Sequence, residues 1–61
     1  MNFKQMEKII LSAGWKFKDA QGSHYHYVHH DRPGKVTIPN HGKKDLSLRV
    51  VNSILRQAGL K

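Results

Sequence analysis

Cysteine is absent from all 61 residues, so neither a disulfide framework nor a thiolate-held zinc can supplement the core. That absence suits a reducing compartment, and a cytoplasmic location is the expectation. Acidic residues are nearly as scarce. Glu7, Asp19, Asp31 and Asp45 are the only four, and they are dispersed along the chain. A two-metal nuclease needs clustered carboxylates to hold hard cations, so that mechanism is disfavoured and no metal ion or other cofactor is expected. Long apolar runs are missing too. The longest aliphatic stretch is Ile9-Ile10-Leu11, with Lys4, Glu7 and Lys8 nearby, which fits neither a signal peptide nor a membrane span.

What the chain does carry is positive charge. Eleven Lys and Arg against four acids give a formal charge of +7 and a sequence pI of about 10.2, more than solubility asks of a small domain. A polyanionic partner follows: nucleic acid, an anionic membrane surface or an acidic protein. A membrane-binding helix would gather its cations beside one bulky apolar face. Here Lys16, Lys18, Arg32, Lys35, Lys43, Lys44, Arg49 and Arg56 are spread through every predicted element.

The chain reads as one domain over residues 1–61, of α+β class. Phe3, Met6, Ile9, Ile10 and Ala13 recur at helical spacing. Asn2 with Gln5 predicts a capping box, Gly14 a left-handed stop, and Trp15 a return contact to Ile10. At the other terminus Leu48, Val51, Leu55 and Ala58 predict a buried helical seam, with Val50 and Ile54 beside it. Asp45 and Ser47 both qualify as its cap, and Gly59-Leu60 ends it. Between the helices, strands are predicted over residues 15–19, 23–29 and 35–39. They are joined through Ala20-Gln21-Gly22 and by a turn at Asp31-Arg32-Pro33-Gly34. The layout is helix, three antiparallel strands, helix, with both helices packed on one face of the sheet and the other face open.

Side chains two apart share a face of a strand. Tyr25 and Tyr27 therefore point together, and the aromatic pair is predicted to be buried with Phe17 and Ile38. His24, His26, Val28 and His30 form the opposite set, which places His24 and His26 on the open face or its edge. Five histidines invite a metal reading, with His24, His26 and His41 supplying imidazoles to zinc. The spacing fits no established zinc pattern, and no carboxylate stands ready to orient the rings. His29 and His30, next to the turn, read as surface residues.

His24 is different because of Gly22-Ser23 before it. Glycine there permits a backbone conformation and a close ligand approach that other residues obstruct. An imidazole, with an unperturbed pKa near 6.5, both accepts and donates a proton near neutral pH, as in-line cleavage of a ribose-phosphate backbone requires.

Taken in order, Gly22-Ser23-His24 and its aromatic strand, Val36-Thr37-Ile38-Pro39-Asn40-His41-Gly42-Lys43, and the closing Ile54-Leu55-Arg56-Gln57-Ala58-Gly59-Leu60 closely resemble the HicA toxin family. The resemblance spans nearly the whole chain. It implies a double-stranded-RNA-binding-domain-like fold, an mRNA interferase activity and an inhibitory HicB-type antitoxin, in a complex that could be of higher order. It also maps the family's active histidine onto His24.

On that reading His24 acts as general acid or base in metal-independent endoribonuclease cleavage of mRNA. Gly22 and Ser23 shape its turn. Lys16, Lys18, Lys43, Lys44 and Arg49 bind phosphate, and His26 and His41 are candidates for a second proton carrier. The alternative is a non-catalytic RNA-binding module, although spanning about 16 base pairs of duplex asks much of so short a chain. A plain protein-interaction domain would explain the charge but leave Gly22-Ser23-His24 without a role.

Overall fold

Asn2 opens the first helix with a reciprocal cap. Its side-chain oxygen accepts from the Gln5 N–H at 3.0 Å, and its own N–H donates to Gln5 Oε1 at 2.9 Å, so two helix-end donors are satisfied locally. The computed structural model describes residues 1–61 and runs α1 (Phe3–Ser12), β1 (Lys16–Gln21), β2 (His24–His29), β3 (Arg32–Pro39) and α2 (Leu48–Gln57). The three strands form one antiparallel sheet in the order β1-β2-β3.

Both helices share one core on one face of that sheet. Phe3, Met6 and Ile10 of α1, Ile54 of α2 with the capping Ala58, and Tyr27, Val36 and Ile38 of the strands form a single buried cluster. Trp15 and Leu46 close it from the connections. This is the α+β, double-stranded-RNA-binding-domain-like layout that the sequence predicts. Gly14 ends α1 at φ +97°, a region that side chains with a Cβ rarely adopt, and the Trp15 N–H returns to the Ile10 carbonyl at 3.2 Å. Ser47, not Asp45, caps α2, its hydroxyl accepting from the Val50 N–H at 3.2 Å. Asp45 instead pairs with the chain's N-terminal ammonium at 3.5 Å.

Several boundaries differ from expectation. β1 begins one residue later and runs on to Gln21, and the register shift between Phe17 and Asp19 leaves Lys18 as a bulge. β3 begins at Arg32, paired with His29, so the loop is His30-Asp31 and the Pro33-Gly34 pair lies inside a strand. Two physical reasons allow this. β3 is an edge strand, where proline's missing donor is tolerated, and Gly34 at φ +82° lets Pro33, Gly34 and Lys35 bulge opposite Val28.

Two burial expectations also fail. Phe17 packs its ring against Tyr25 and Tyr27 (centroids 5.6 and 5.9 Å) yet stays 51% exposed, because it stands on an edge strand with a neighbouring strand on one side only. Leu48 is 75% exposed, and Ile54 with Ala58 makes the buried stripe of α2. At about 100° per residue, Leu48 stands about 120° around the helix from Ile54.

Tyr27 fastens α1 to the central strand. Its ring is buried and its hydroxyl donates to Glu7 Oε2 at 2.6 Å. Burial, and then the carboxylate that accepts its proton, push the phenol well above the ordinary tyrosine range. The unfolded chain ionises this phenol near pH 10 and the folded chain does not, so the folded state holds more protons above that pH. The contribution is therefore complete below about pH 10 and is lost as pH rises from there toward the folded value. Urea unfolding from pH 7 to 11 is expected to show this fall. In Tyr27→Phe the fall from this group disappears, and neutral-pH stability drops by about 1–2 kcal/mol for the lost hydrogen bond. An unchanged alkaline slope in the variant would remove Tyr27 as its source.

Candidate functional site at the helix N-terminal end

The β1–β2 connection is tighter than the sequence predicts. Gln21 pairs with His24, leaving Gly22-Ser23 as a two-residue loop. Gly22 has φ +60° and Ser23 no positive φ, the pattern of a type II′ hairpin turn with glycine first. A Gly-Ser pair between two strands was the available signal for it. No atom lies within 4 Å of the Cβ that Gly22 lacks, so the backbone conformation itself demands glycine and the space beside it stays open.

His24 is thereby fixed as the first residue of β2, held between Gln21 on one side and Pro39 on the other. It lies on the sheet face opposite the core, exposed, and its ring takes part in none of the side-chain hydrogen bonds of the fold. Both imidazole nitrogens are thus free for a ligand. The Ser23 carbonyl accepts from the Asn40 N–H at 2.6 Å, tying the turn to the loop that follows β3. That loop carries His41, Lys43 and Lys44, all exposed.

His26 shares the face of His24 but not its accessibility. It is 8% exposed, flanked in register by Asp19 and Thr37, with Nδ1 2.9 Å from Thr37 Oγ1 and a buried Nε2 that has no partner. The expected open-face imidazole is in fact enclosed. Lys16, paired with Val28, stands on this same face, and Lys18 is displaced by the bulge. Lys35, exposed in the bulge opposite Val28, adds a cation at the other end of the strand from His24.

The chain's two ends of structure differ in polarity. Phe3, the first residue of α1, meets Tyr25 next to His24 with ring centroids 5.0 Å apart, and the loop after Pro39 leads into Ser47 at the start of α2. Both helix N-termini therefore lie at the His24 end, with Lys43, Lys44 and Arg49 on the loop and first helical turn. Each helix N-terminus carries roughly half a positive charge. The far end holds both helix C-termini against the β2–β3 hairpin. His29 Nε2 lies 2.6 Å from where a Gly14 Cβ would be, and the Arg32 guanidinium packs on Gly59.

His24, His26 and His41 are not gathered as a ligand set. The group that does converge is His29, His30 and Asp31 at that far hairpin, with ligand atoms within 4.8 Å of one another. Its geometry already serves the turn: His29 Nδ1 accepts from the Asp31 N–H at 3.0 Å, and His30 Nε2 lies 3.1 Å from Asp31 Oδ2. No helix is long and apolar enough to cross a membrane.

Comparison with known proteins adds two findings. The family described as HicA toxin of bacterial toxin-antitoxin matches residues 3–60. The chain is also similar to a probable mRNA interferase HicA of Pseudomonas fluorescens (strain Pf0-1), 31% identical over 62 residues covering 100% of this chain and 98% of that protein.

Proposed function

For a chain that belongs to the HicA toxin family of bacterial toxin–antitoxin systems, we propose an mRNA interferase that cleaves single-stranded RNA with His24 as its general acid or base. The observation that carries this reading is the placement of His24. It is exposed, unbonded and rigidly set by a two-residue turn, at the end of the molecule where both helix N-termini and the lysine loop converge.

The chemistry follows from that placement. An imidazole base at His24 takes the proton of a ribose 2′-hydroxyl, whose oxygen attacks the adjacent phosphorus. Alternatively, its imidazolium protonates the leaving 5′-oxygen. Lys18, Lys43, Lys44 and Arg49 supply positive charge that offsets the build-up on the phosphorane oxygens, and Lys16, paired with Val28 four residues along β2 from His24, serves a flanking phosphate. His41, exposed on the neighbouring loop, is the better placed second proton carrier, since His26 Nε2 is shut away from solvent. The partner is a HicB-type antitoxin that covers His24 and the cationic end in the cytoplasm. Leu48, exposed beside Arg49, offers apolar area for that contact.

Labelled single-stranded RNA incubated with the purified protein in EDTA is expected to be cut, leaving 2′,3′-cyclic phosphate ends that identify attack by the ribose hydroxyl. Salt-dependent binding without scission would instead establish the non-catalytic RNA-binding module.

A further inference from the structure

Beside the His24 turn lies a cavity of about 350 Å³ lined by Asn2, Phe3, Lys4, Asn40, Gly42 and Lys43. Its polar inventory is one-sided. Asn2 Oδ1 accepts from the Gln5 N–H and Asn40 Oδ1 from the Gly42 N–H, each at 3.0 Å. Backbone N–H groups only donate, so the atom facing each of them is the carboxamide oxygen, which is turned to its own loop or helix end and leaves both NH₂ donors of each Asn free. Lys4 and Lys43 add two ammonium groups, which donate and never accept. No carboxylate is among the lining residues. Glu7 is engaged by the Tyr27 hydroxyl, and Asp45 is turned to the N-terminal ammonium. A concavity with four donor side chains, two of them cationic, and no carboxylate favours an anion. Phe3 gives it an apolar wall, and nothing lies within 4 Å of the missing Gly42 Cβ, which keeps it open.

Position decides which anion. Asn40 donates to Ser23 at 2.6 Å, and the residue before it, Pro39, is the register partner of His24. Paired strand residues stand about 4.5–5.5 Å apart, so the cavity opens immediately around the end of the sheet from the imidazole. Its volume exceeds that of a bare phosphate and falls at the lower end of the range for small-molecule sites. We propose that this cavity is a subsite for the RNA backbone. It holds the phosphate and ribose of a nucleotide flanking the cleaved bond, with Lys4 and Lys43 on the phosphate and the Asn2 and Asn40 carboxamides on its oxygens. The proposal rests on the reading of His24 as an RNA-cleaving residue and adds Lys4, Asn2 and Asn40 to the substrate contacts.

The test separates binding from cleavage. A 2′-O-methyl RNA hexamer, which has no attacking hydroxyl, is titrated into ¹⁵N-labelled protein, wild type and His24→Ala, with inorganic phosphate as a parallel probe. The side-chain NH₂ signals of Asn2 and Asn40 and the Gly42 amide are expected to shift saturably with the hexamer in both proteins. Lys4→Ala, at an exposed helical position where alanine is well tolerated, should weaken those shifts and lower the slope of log affinity against log salt by about 0.7. Lys4→Arg should restore them.

Shifts with phosphate that the hexamer neither reproduces nor competes with would make this a free-anion site and overturn the proposal, as would the absence of saturable shifts. Cleavage of ordinary RNA by Lys4→Ala with unchanged KM and kcat would also overturn it while leaving the interferase reading intact. Saturable hexamer binding by a protein that cuts no RNA would sink the interferase reading alone.

Discussion

His24→Ala is expected to lower RNA cleavage by about 10²- to 10⁴-fold, the range over which one positioned acid or base accelerates proton transfer. The prediction is sharp because little else depends on this side chain. It is exposed and makes no hydrogen bond in the fold, and the turn that fixes its backbone belongs to Gly22 and Ser23. Unfolding stability should therefore change by no more than about 0.5 kcal/mol, as for other surface substitutions. RNA affinity should also persist, since it comes mainly from lysine and arginine contacts to phosphate. His30→Ala is the matched control, another exposed histidine, in the β2–β3 loop at the far end of the molecule. Cleavage retained by His24→Ala, or lost equally in His30→Ala, would reject the assignment.

Trp15→Ala should have the largest effect on stability. Trp15 is 2% exposed and closes the core between the end of α1 and the sheet, with its ring edge-on to His29 at 5.3 Å between centroids. Removing such a ring typically costs about 3–5 kcal/mol. A domain of this size has only about 3–9 kcal/mol in total at 0.05–0.15 kcal/mol per residue. The variant is expected to be largely unfolded at 25 °C, or to unfold in well under half the urea that wild type withstands, followed by circular dichroism. Trp15→Phe distinguishes packing from hydrogen bonding. The indole Nε1 is buried without a partner, so phenylalanine keeps most of the apolar contact and removes an unsatisfied donor. It should fold, at a cost below about 2 kcal/mol. Near-wild-type stability in Trp15→Ala would mean that the ring does not close the core.

Features that depend on near neighbours in the chain were legible in the sequence. The Asn2–Gln5 capping box spans three residues, the Gly14 stop follows the last turn it ends, and the period of two in Tyr25-His26-Tyr27 separates core from open face whatever else packs there. The layout of helix, three strands and helix came from the same signals, as did the position of His24 on the face away from the core. The family resemblance added what local physics does not supply, a reason to read Gly22-Ser23-His24 as chemistry.

The rest required the tertiary structure, because it is set by pairings between distant residues. A bulge is a mismatch between two strands. Lys18 and the Pro33-Gly34 step therefore acquire their meaning only from the register with β2. Burial of a side chain on the open face depends on its cross-strand neighbours, which is why His26 is enclosed beside Thr37 although alternation alone leaves it exposed. The Tyr27–Glu7 bond joins residues 20 apart, and no local pattern announces it. The site itself is of this kind. Sequence determined that the chain has a histidine on a glycine turn and an excess of cations. Folding decided that both helix N-termini, the lysine loop and a donor-lined cavity lie at the same end as that histidine, since direction and register, not composition, bring separated segments together.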